Sequence, residues 1–366
     1  MELSKKLKDR LNNRIKDNSY RSLKTENKLI DFSSNDYLGF SKHLIENNKF
    51  NIGSTGSRLI TGNTEKTERL EKKIAEYHNA KSGLFFNSGY TANLGLFSTL
   101  PQRGEFVLYD EYIHASIRDG IRLSNAKAYS FKHNSLRDLE QKLSHYSGTV
   151  YVAIESVYSM TGDSPDLIAI SQLCEKYNAL LIVDEAHSFG LVGEKGEGLV
   201  AKLKLQNKIF ATVVTFGKAL GYHGAIILGN KGLRSYLINF CRPFIYTTAP
   251  SPHIINTIEE QYLVLEKELN LKHIIFELKK LFLKQILDST ITITGENSAI
   301  ISIEVGENTK TKELASFIQS KGFDVRPILS PTVPKGKECI RICFHSYNSK
   351  EEVVNLAYHF NQFYEK

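Results

Sequence analysis

Between about residues 81 and 229, short apolar runs alternate with amphipathic stretches. The runs in KSGLFF, GEFVLYD, AKAYSF, GTVYVAIESV, ALLIVD, FATVV and AIIL predict strands. The stretches 114–124, 135–145 and 167–177 carry apolar residues at helical spacing and predict helices. Continuous apolar strands are buried on both faces, and their alternation with helices predicts a mostly parallel α/β sheet. Ligands of such sheets bind beyond the carboxyl ends of the strands. Ser159, Asp184 and His187 all fall at or just after predicted strand ends.

The flanks read differently. At the N-terminus Leu3, Leu7, Leu11 and Ile15 recur every four residues among lysines and arginines, which predicts a basic amphipathic helix. Glu2, Asp9 and Asp17 interrupt the basic run and argue against a mitochondrial presequence, and no secretory apolar core is present. Residues 251–287 read as helical and Lys-rich. Beyond them ITIT, AIISIEV, FDVRPI and ECIRICF read as strands, and 311–321 and 349–364 as helices, which suggests a smaller α/β domain. Pro250 and Pro252 mark the expected boundary. The expected division is an N-terminal helix and arm over 1–45, a large domain over 46–250 and a small domain over 251–366.

Composition narrows the function classes. The chain has 366 residues, 41% hydrophobic and 24% charged, as expected of a globular protein with a large core. No apolar run approaches a membrane span. The formal charge of +7 lacks the clustered basic and aromatic patches of a nucleic-acid binder, but it suits phosphorylated cofactors or acidic partners. Cys174, Cys241, Cys339 and Cys343 form no CxxC pair and no metal-ligand cluster. They read as reduced thiols of a cytoplasmic protein without a metal site.

The chemistry centres on FATVVTFGKALGYHGAIILG, residues 210–229. Lys218 lies in a glycine-rich bend between two core strands. Burial disfavours its ammonium form, and a neutral lysine can form a Schiff base with an aldehyde. A carboxylate buried at a strand end, as predicted for Asp184, requires a cationic partner. The protonated pyridine nitrogen of pyridoxal phosphate is such a partner. His187 could then reach the ring's phenolic oxygen, and His114 could stack on its face. In NSGYTAN, a strand–turn–helix, the backbone N–H groups of Gly89 and Tyr90 suit a phosphate. The glycine-rich GSTGSRLITGN contains neither a Walker A loop nor a GxGxxG fingerprint. Singly, each residue has an ordinary explanation: a snorkelling lysine, a helix cap, a satisfied polar histidine. In this order along one α/β chain they point together to a pyridoxal-phosphate site.

Through FSSNDYLGF, GSTGSRLITGN, NSGYTAN, HASIRDG, ESVYSMTGD, VDEAHSFGLVGEKGEG, TFGKALGYHGA, RPFIYTTAPSP and SPTVPKG, the chain resembles the α-oxoamine synthases, pyridoxal-phosphate enzymes of aminotransferase-like fold. The resemblance spans nearly the whole chain. It implies a fold-type I transferase with a mostly parallel seven-stranded sheet and a smaller C-terminal α/β domain. It implies that Lys218 carries the cofactor and moves the substrate's α-proton, and that Asp184 pairs with the pyridine nitrogen. His187 and Ser159 would bind the phenolic side, His114 would stack, and Gly89, Tyr90 and Thr215 would hold the phosphate. Thr248 would reach the phosphate of a neighbouring subunit in a homodimer with shared sites. Asn35 and Arg341 become candidates for the amino-acid carboxylate, and Arg21 and Thr332 for the acyl substrate. SPTVPKG and the short N-terminus favour the member that joins L-alanine to a pimeloyl thioester of coenzyme A or acyl carrier protein. Glu185, Ser188 and Thr67 stand where relatives often have Asp, Gly and His. Leu329 stands where a relative has arginine, with Arg326 as the candidate replacement.

Other members of the family join glycine to acetyl-CoA or succinyl-CoA, or serine to a long acyl thioester. An aminotransferase is disfavoured by the family-specific motifs. A catalytically inactive subunit would be expected to lack Lys218, Asp184 and His187, all of which are present.

Overall fold

The computed structural model describes residues 4–21, 28–42, 52–286, 291–295 and 297–364. Glu2, Leu3, Leu287 and the expected boundary at 45/46 lie outside these residues. The chain divides into two compact units. Asn35–Ser159 with Asp163–Lys272 form the larger, and Met1–Ser34, Met160–Gly162 and His273–Lys366 the smaller. The helix Pro252–Lys267, which follows the two prolines, belongs to the larger unit. Its Gln261 donates to the Phe40 carbonyl and its Tyr262 meets His78, so the contact division falls after this helix rather than at the prolines.

Strand β1 (Ile30–Asp31) precedes the larger unit. The larger unit is built on β2 (Ser82–Phe86), β3 (Phe106–Asp110), β4 (Lys127–Phe131), β5 (Val150–Glu155), β6 (Leu180–Asp184), β7 (Ala211–Thr215) and β8 (Ala225–Gly229). They form one seven-stranded sheet in the order β2-β8-β7-β6-β5-β3-β4. β3 to β7 run parallel; β8 is antiparallel to both its neighbours, so β2 runs with the rest. Alternate residues of β5 feed two different cores. Tyr151 and Ala153 pack into one, and Val150, Val152 and Ile154 into the other. That is the pleat placing successive side chains on opposite faces. It also explains why these strands read as unbroken apolar runs.

Local capping fixes the helices that follow the strands. Ser88 caps Gly89–Thr99, accepting from the Thr91 N–H at 3.1 Å. Asp166 caps Leu167–Lys176 through the Ala169 N–H at 3.0 Å. Both satisfy donors that the first helical turn leaves unpaired.

In the smaller unit β9 (Ile293–Thr294), β10 (Ile300–Glu304), β12 (Arg326–Ile328) and β13 (Cys339–Cys343) form a four-stranded sheet in the order β12-β13-β10-β9. The run FDVRPI, expected as one strand, is split. β11 (Phe323–Asp324) pairs with β1, while β12 pairs with β13. The N-terminal helix Lys5–Lys16 leaves Leu7, Leu11 and Ile15 exposed, and buries none of its residues.

Candidate active site

Because β2, β3, β5, β6 and β7 run in one direction, their carboxyl ends share one edge of the sheet. The residues singled out in the larger unit gather along it. Asp184 ends β6 and is almost fully buried. Its Oδ2 accepts from Asn93 Nδ2 at 2.7 Å, and its Oδ1 from the Ala186 N–H at 2.9 Å. Each carboxylate oxygen therefore has its own donor.

Beyond β7, Lys218 sits half-buried in a tight reversal. The Phe216 N–H donates to the Gly224 carbonyl at 2.9 Å, and the Tyr222 N–H to the Phe216 carbonyl at 2.8 Å. Gly224, at φ +110°, takes a conformation that a side chain would strain, which accounts for the glycine there.

His187 is buried three residues past Asp184, with Nδ1 2.8 Å from the Tyr37 hydroxyl. Tyr37 is itself fully buried and donates to Asn35 Oδ1 at 3.2 Å. His114 is the N-cap of the helix Ala115–Leu123. Its Nδ1 accepts the Ser116 N–H at 3.2 Å, which leaves a neutral ring's proton on Nε2. Burial pushes its pKa below the ordinary value; the Lys218 charge adds to this, and Asp184 opposes it.

Thr215 ends β7 with its hydroxyl buried and without a hydrogen-bond partner. A Cβ at Gly89, the first residue of its helix, would run into Thr215 Cγ2. An orphaned hydroxyl therefore adjoins the N-terminus of a helix, where free N–H groups and the helix dipole favour an anion. Tyr90 is exposed, and its ring lies edge-on to His114 at 6.4 Å. Ser159 is half-buried in the segment after β5. Thr248 is exposed; its carbonyl accepts from Asn87 Nδ2 at 3.0 Å, and it lines a cavity of about 300 Å³ with Ser54, Asn87 and His223.

In the smaller unit, Arg21 Nη2 donates to Thr332 Oγ1 at 3.2 Å. Arg341 and Arg326 are directly opposite each other across β13 and β12, on one face of the sheet. The Arg326 fork is already engaged: Nε and Nη2 each lie 2.8 Å from an oxygen of Asp324. Leu329, half-buried just past β12, brings no charge of its own.

Several residues in this arrangement escaped the sequence reading. Tyr37 lies inside FSSNDYLGF and Asn93 inside NSGYTAN, so both were within noted motifs, but neither has a chemistry that marks it out. Glu155, buried at the end of β5 and in register with Asp184 on β6, was legible only as a strand terminus. His133, between Asp110 and Asp163 at 2.8 Å each, had no sequence signal at all.

A lysine and a buried carboxylate at the sheet edge, beside a ready phosphate cradle, define a fold-type I pyridoxal-phosphate enzyme. The orphaned Thr215 hydroxyl, the small residue at Gly89 and the twice-bonded Asp184 fit the phosphate and pyridinium ends of pyridoxal 5'-phosphate. The family described as aminotransferase class I and II matches residues 27–360, and the chain belongs to it. A curated relative from Emericella nidulans, named 8-amino-7-oxononanoate synthase, is 41% identical over 89% of this chain and 87% of its own length. Among solved structures, 8-amino-7-oxononanoate synthase from Francisella tularensis is 28% identical with a TM-score of 0.79, covering 93% of this chain and 99% of that one. Serine palmitoyltransferase from Sphingomonas wittichii is 26% identical with a TM-score of 0.84, covering 90% and 86%. The cofactor is pyridoxal 5'-phosphate and the enzyme an acyltransferase.

Proposed function

We propose that the enzyme condenses L-alanine with a pimeloyl thioester, releasing carbon dioxide and the free thiol carrier to give 8-amino-7-oxononanoate for biotin synthesis. The observation that carries the substrate assignment is the 41% identity, over nearly nine tenths of both chains, to a relative named for that product.

When bound, pyridoxal phosphate supplies an electrophilic carbon for the amine and a sink for the α-carbon's electrons. Lys218 Nζ would hold the cofactor between turnovers and, when free, would remove and return the substrate's α-proton. Asp184 would pair its carboxylate with the ring nitrogen. His187, steadied by Tyr37, faces the phenolic oxygen with Ser159. His114 stacks on the ring and offers Nε2–H to the thioester carbonyl oxygen. Gly89, Tyr90 and Thr215 take the phosphate. Asn35 and Arg341 are each candidates for the alanine carboxylate, and Arg21 and Thr332 for the acyl chain. A cavity of about 950 Å³ lined in part by Arg10, Arg14, Lys16 and Lys335, set against Asp17, Glu307 and Glu338, keeps only a slight positive excess for an anionic carrier, coenzyme A or acyl carrier protein.

The working form is a homodimer in which Thr248 serves the neighbouring site. Exposed Ile52, Ile60 and Tyr246, at 87%, 79% and 73%, support a covering copy on this face. Four buried free cysteines support a reducing, cytoplasmic setting, and no described helix is long and apolar enough to cross a membrane.

A second reading, another α-oxoamine synthase, draws on Leu329 and on Arg326, whose fork holds Asp324 rather than standing open to an acyl carboxylate. Thiol release separates the two. Alanine with pimeloyl-CoA or its carrier-protein thioester is expected to release thiol, and Lys218→Ala to abolish it. Release only from glycine with acetyl-CoA or succinyl-CoA, or from serine with palmitoyl-CoA, would move the enzyme to another branch.

A further inference from the structure

Three carboxyl groups end adjacent strands in a row, Asp110 on β3, Glu155 on β5 and Asp184 on β6; Glu155 and Asp184 are in register on one face of the sheet, whereas Asp110, level with Ile154, turns to the other. All three are buried. The outer two are each supplied with donors. Asp110 accepts from His133 Nδ1 at 2.8 Å, the Tyr112 N–H at 2.8 Å and the Asn134 N–H at 3.0 Å. Asp184 accepts from Asn93 and Ala186. Glu155 in the middle lies near the His114 backbone N–H, and its Oε1 is buried with no hydrogen-bond partner among the described residues. Glu155 and Asp184, side by side and buried, would repel each other strongly as two anions, and the proton goes to the one with fewer donors.

We propose that Glu155 is the protonated member of this row and a positioning residue for the cofactor: it stands beside the His114 loop and leaves Asp184 as the anion facing the ring nitrogen. This rests on the reading that Asp184 pairs with that nitrogen. The groups acting on Glu155 are consistent with it. Burial and the Asp184 charge push its pKa up to about 8; Asp110 adds to this, while Lys218 and the His114 N–H oppose it. Tyr158, on the same segment, is held well above its ordinary pKa by burial and by these acids, and remains neutral. Above the titration of Glu155 a second negative charge appears next to Asp184. It raises the proton affinity of the ring nitrogen and of Lys218.

The test uses the cofactor-loaded enzyme. Infrared difference spectra of wild type against Glu155→Gln should show a protonated carboxylic acid at pH 7 that vanishes above pH 9 and is missing from the variant. Bound-cofactor absorbance should lose one pH inflection in Glu155→Gln. Gln, a neutral isostere, should keep pyridoxal-phosphate affinity at pH 7 within about threefold, while Glu155→Leu, folded by circular dichroism, should lose about tenfold or more. A wild-type enzyme with no Glu155-dependent acid band at pH 7, or a Gln variant as impaired as Leu, overturns the proposal. Neither readout uses an acyl substrate, so a failed thiol assay leaves this test standing. Asp184→Asn in the same spectra tests the pairing itself: an unchanged profile there defeats that reading, whereas loss of the Glu155 signal alone defeats only this one.

Discussion

At the scale of single residues, the proposed site divides into groups that would do chemistry and groups that would aim them. Lys218, Asp184, His187 and His114 were legible because an ionisable side chain at the end of an apolar run is costly without a partner. Their supports were not. Tyr37 reaches His187 from 150 positions away, and Asn93 reaches Asp184 from 91, and no local pattern encodes such meetings. Arg326 shows the opposite failure. Its charge suggested a carboxylate reader, but Asp324, two residues earlier, takes its fork. The support of His187 is testable. Tyr37→Phe removes the hydroxyl at 2.8 Å and leaves a buried ring nitrogen without that partner. Roughly 1–3 kcal/mol of the local interaction is lost. Cofactor affinity should fall about fivefold or more, since a freed imidazole no longer holds its tautomer. Unchanged affinity and an unchanged absorbance profile in that variant would remove Tyr37 from the site.

At the scale of elements, the sheet was readable and its seams were not. Strands buried on both faces announce themselves as apolar runs; all seven strands of the large sheet coincide with runs seen in the sequence, β7 and β8 each reaching one residue further, and only the edge strand β4 is mostly exposed. FDVRPI was misread because pairing partners, not composition, decide where a strand divides. Phe323 finds Ile30, while Arg326 finds Arg341. The helix Gly89–Thr99 connects element to chemistry most directly. Ser88 caps it, Gly89 brings its first turn against Thr215, and Asn93, one turn on, holds Asp184. One helix thus organises both the phosphate and the pyridinium ends of the proposed site. Gly89→Ala should leave the cap and the fold intact but force Thr215 away from the cradle. Equilibrium titration should show pyridoxal-phosphate binding weakened about tenfold or more, by analogy with the cost of overpacking a tight contact. A variant that binds cofactor as wild type does would show that Thr215 and Gly89 do not share a ligand.

At the scale of the whole molecule, buried titratable groups tie stability to pH with a definite sign. His133, held between Asp110 and Asp163, is raised to about 9 despite its burial. A base with a raised folded pKa contributes fully below its unfolded value near 6.5, and that contribution is lost as pH rises through 9. Burial likewise lifts Glu155 to about 8 and Glu185 to about 7, the latter although Ser188, Leu199 and Val200 all donate to it. These acids keep their protons when folded and lose them when unfolded, so their contribution fades from the ordinary glutamate range up through 7 and 8. His78 acts in the other sense. Buried between the Glu197 carbonyl and Tyr262, it is lowered to about 4, so folding gains as pH climbs from 4 to 6.5 and nothing further above that. Above pH 6.5 the opposing term is therefore spent, while His133 and Glu155 still lose protons that only the folded state holds. Each such proton weakens folding by about 1.4 kcal/mol per pH unit across its window. The cofactor-free protein should accordingly melt at least about 5 °C lower at pH 9 than at pH 6.5 in a thermal scan. His133→Gln should flatten that slope, chiefly between pH 7 and 9, because glutamine keeps a donor for Asp110 but carries no proton to lose. A melting temperature that stays level or rises from pH 6.5 to 9 would mean that these groups titrate alike in the folded and unfolded chains.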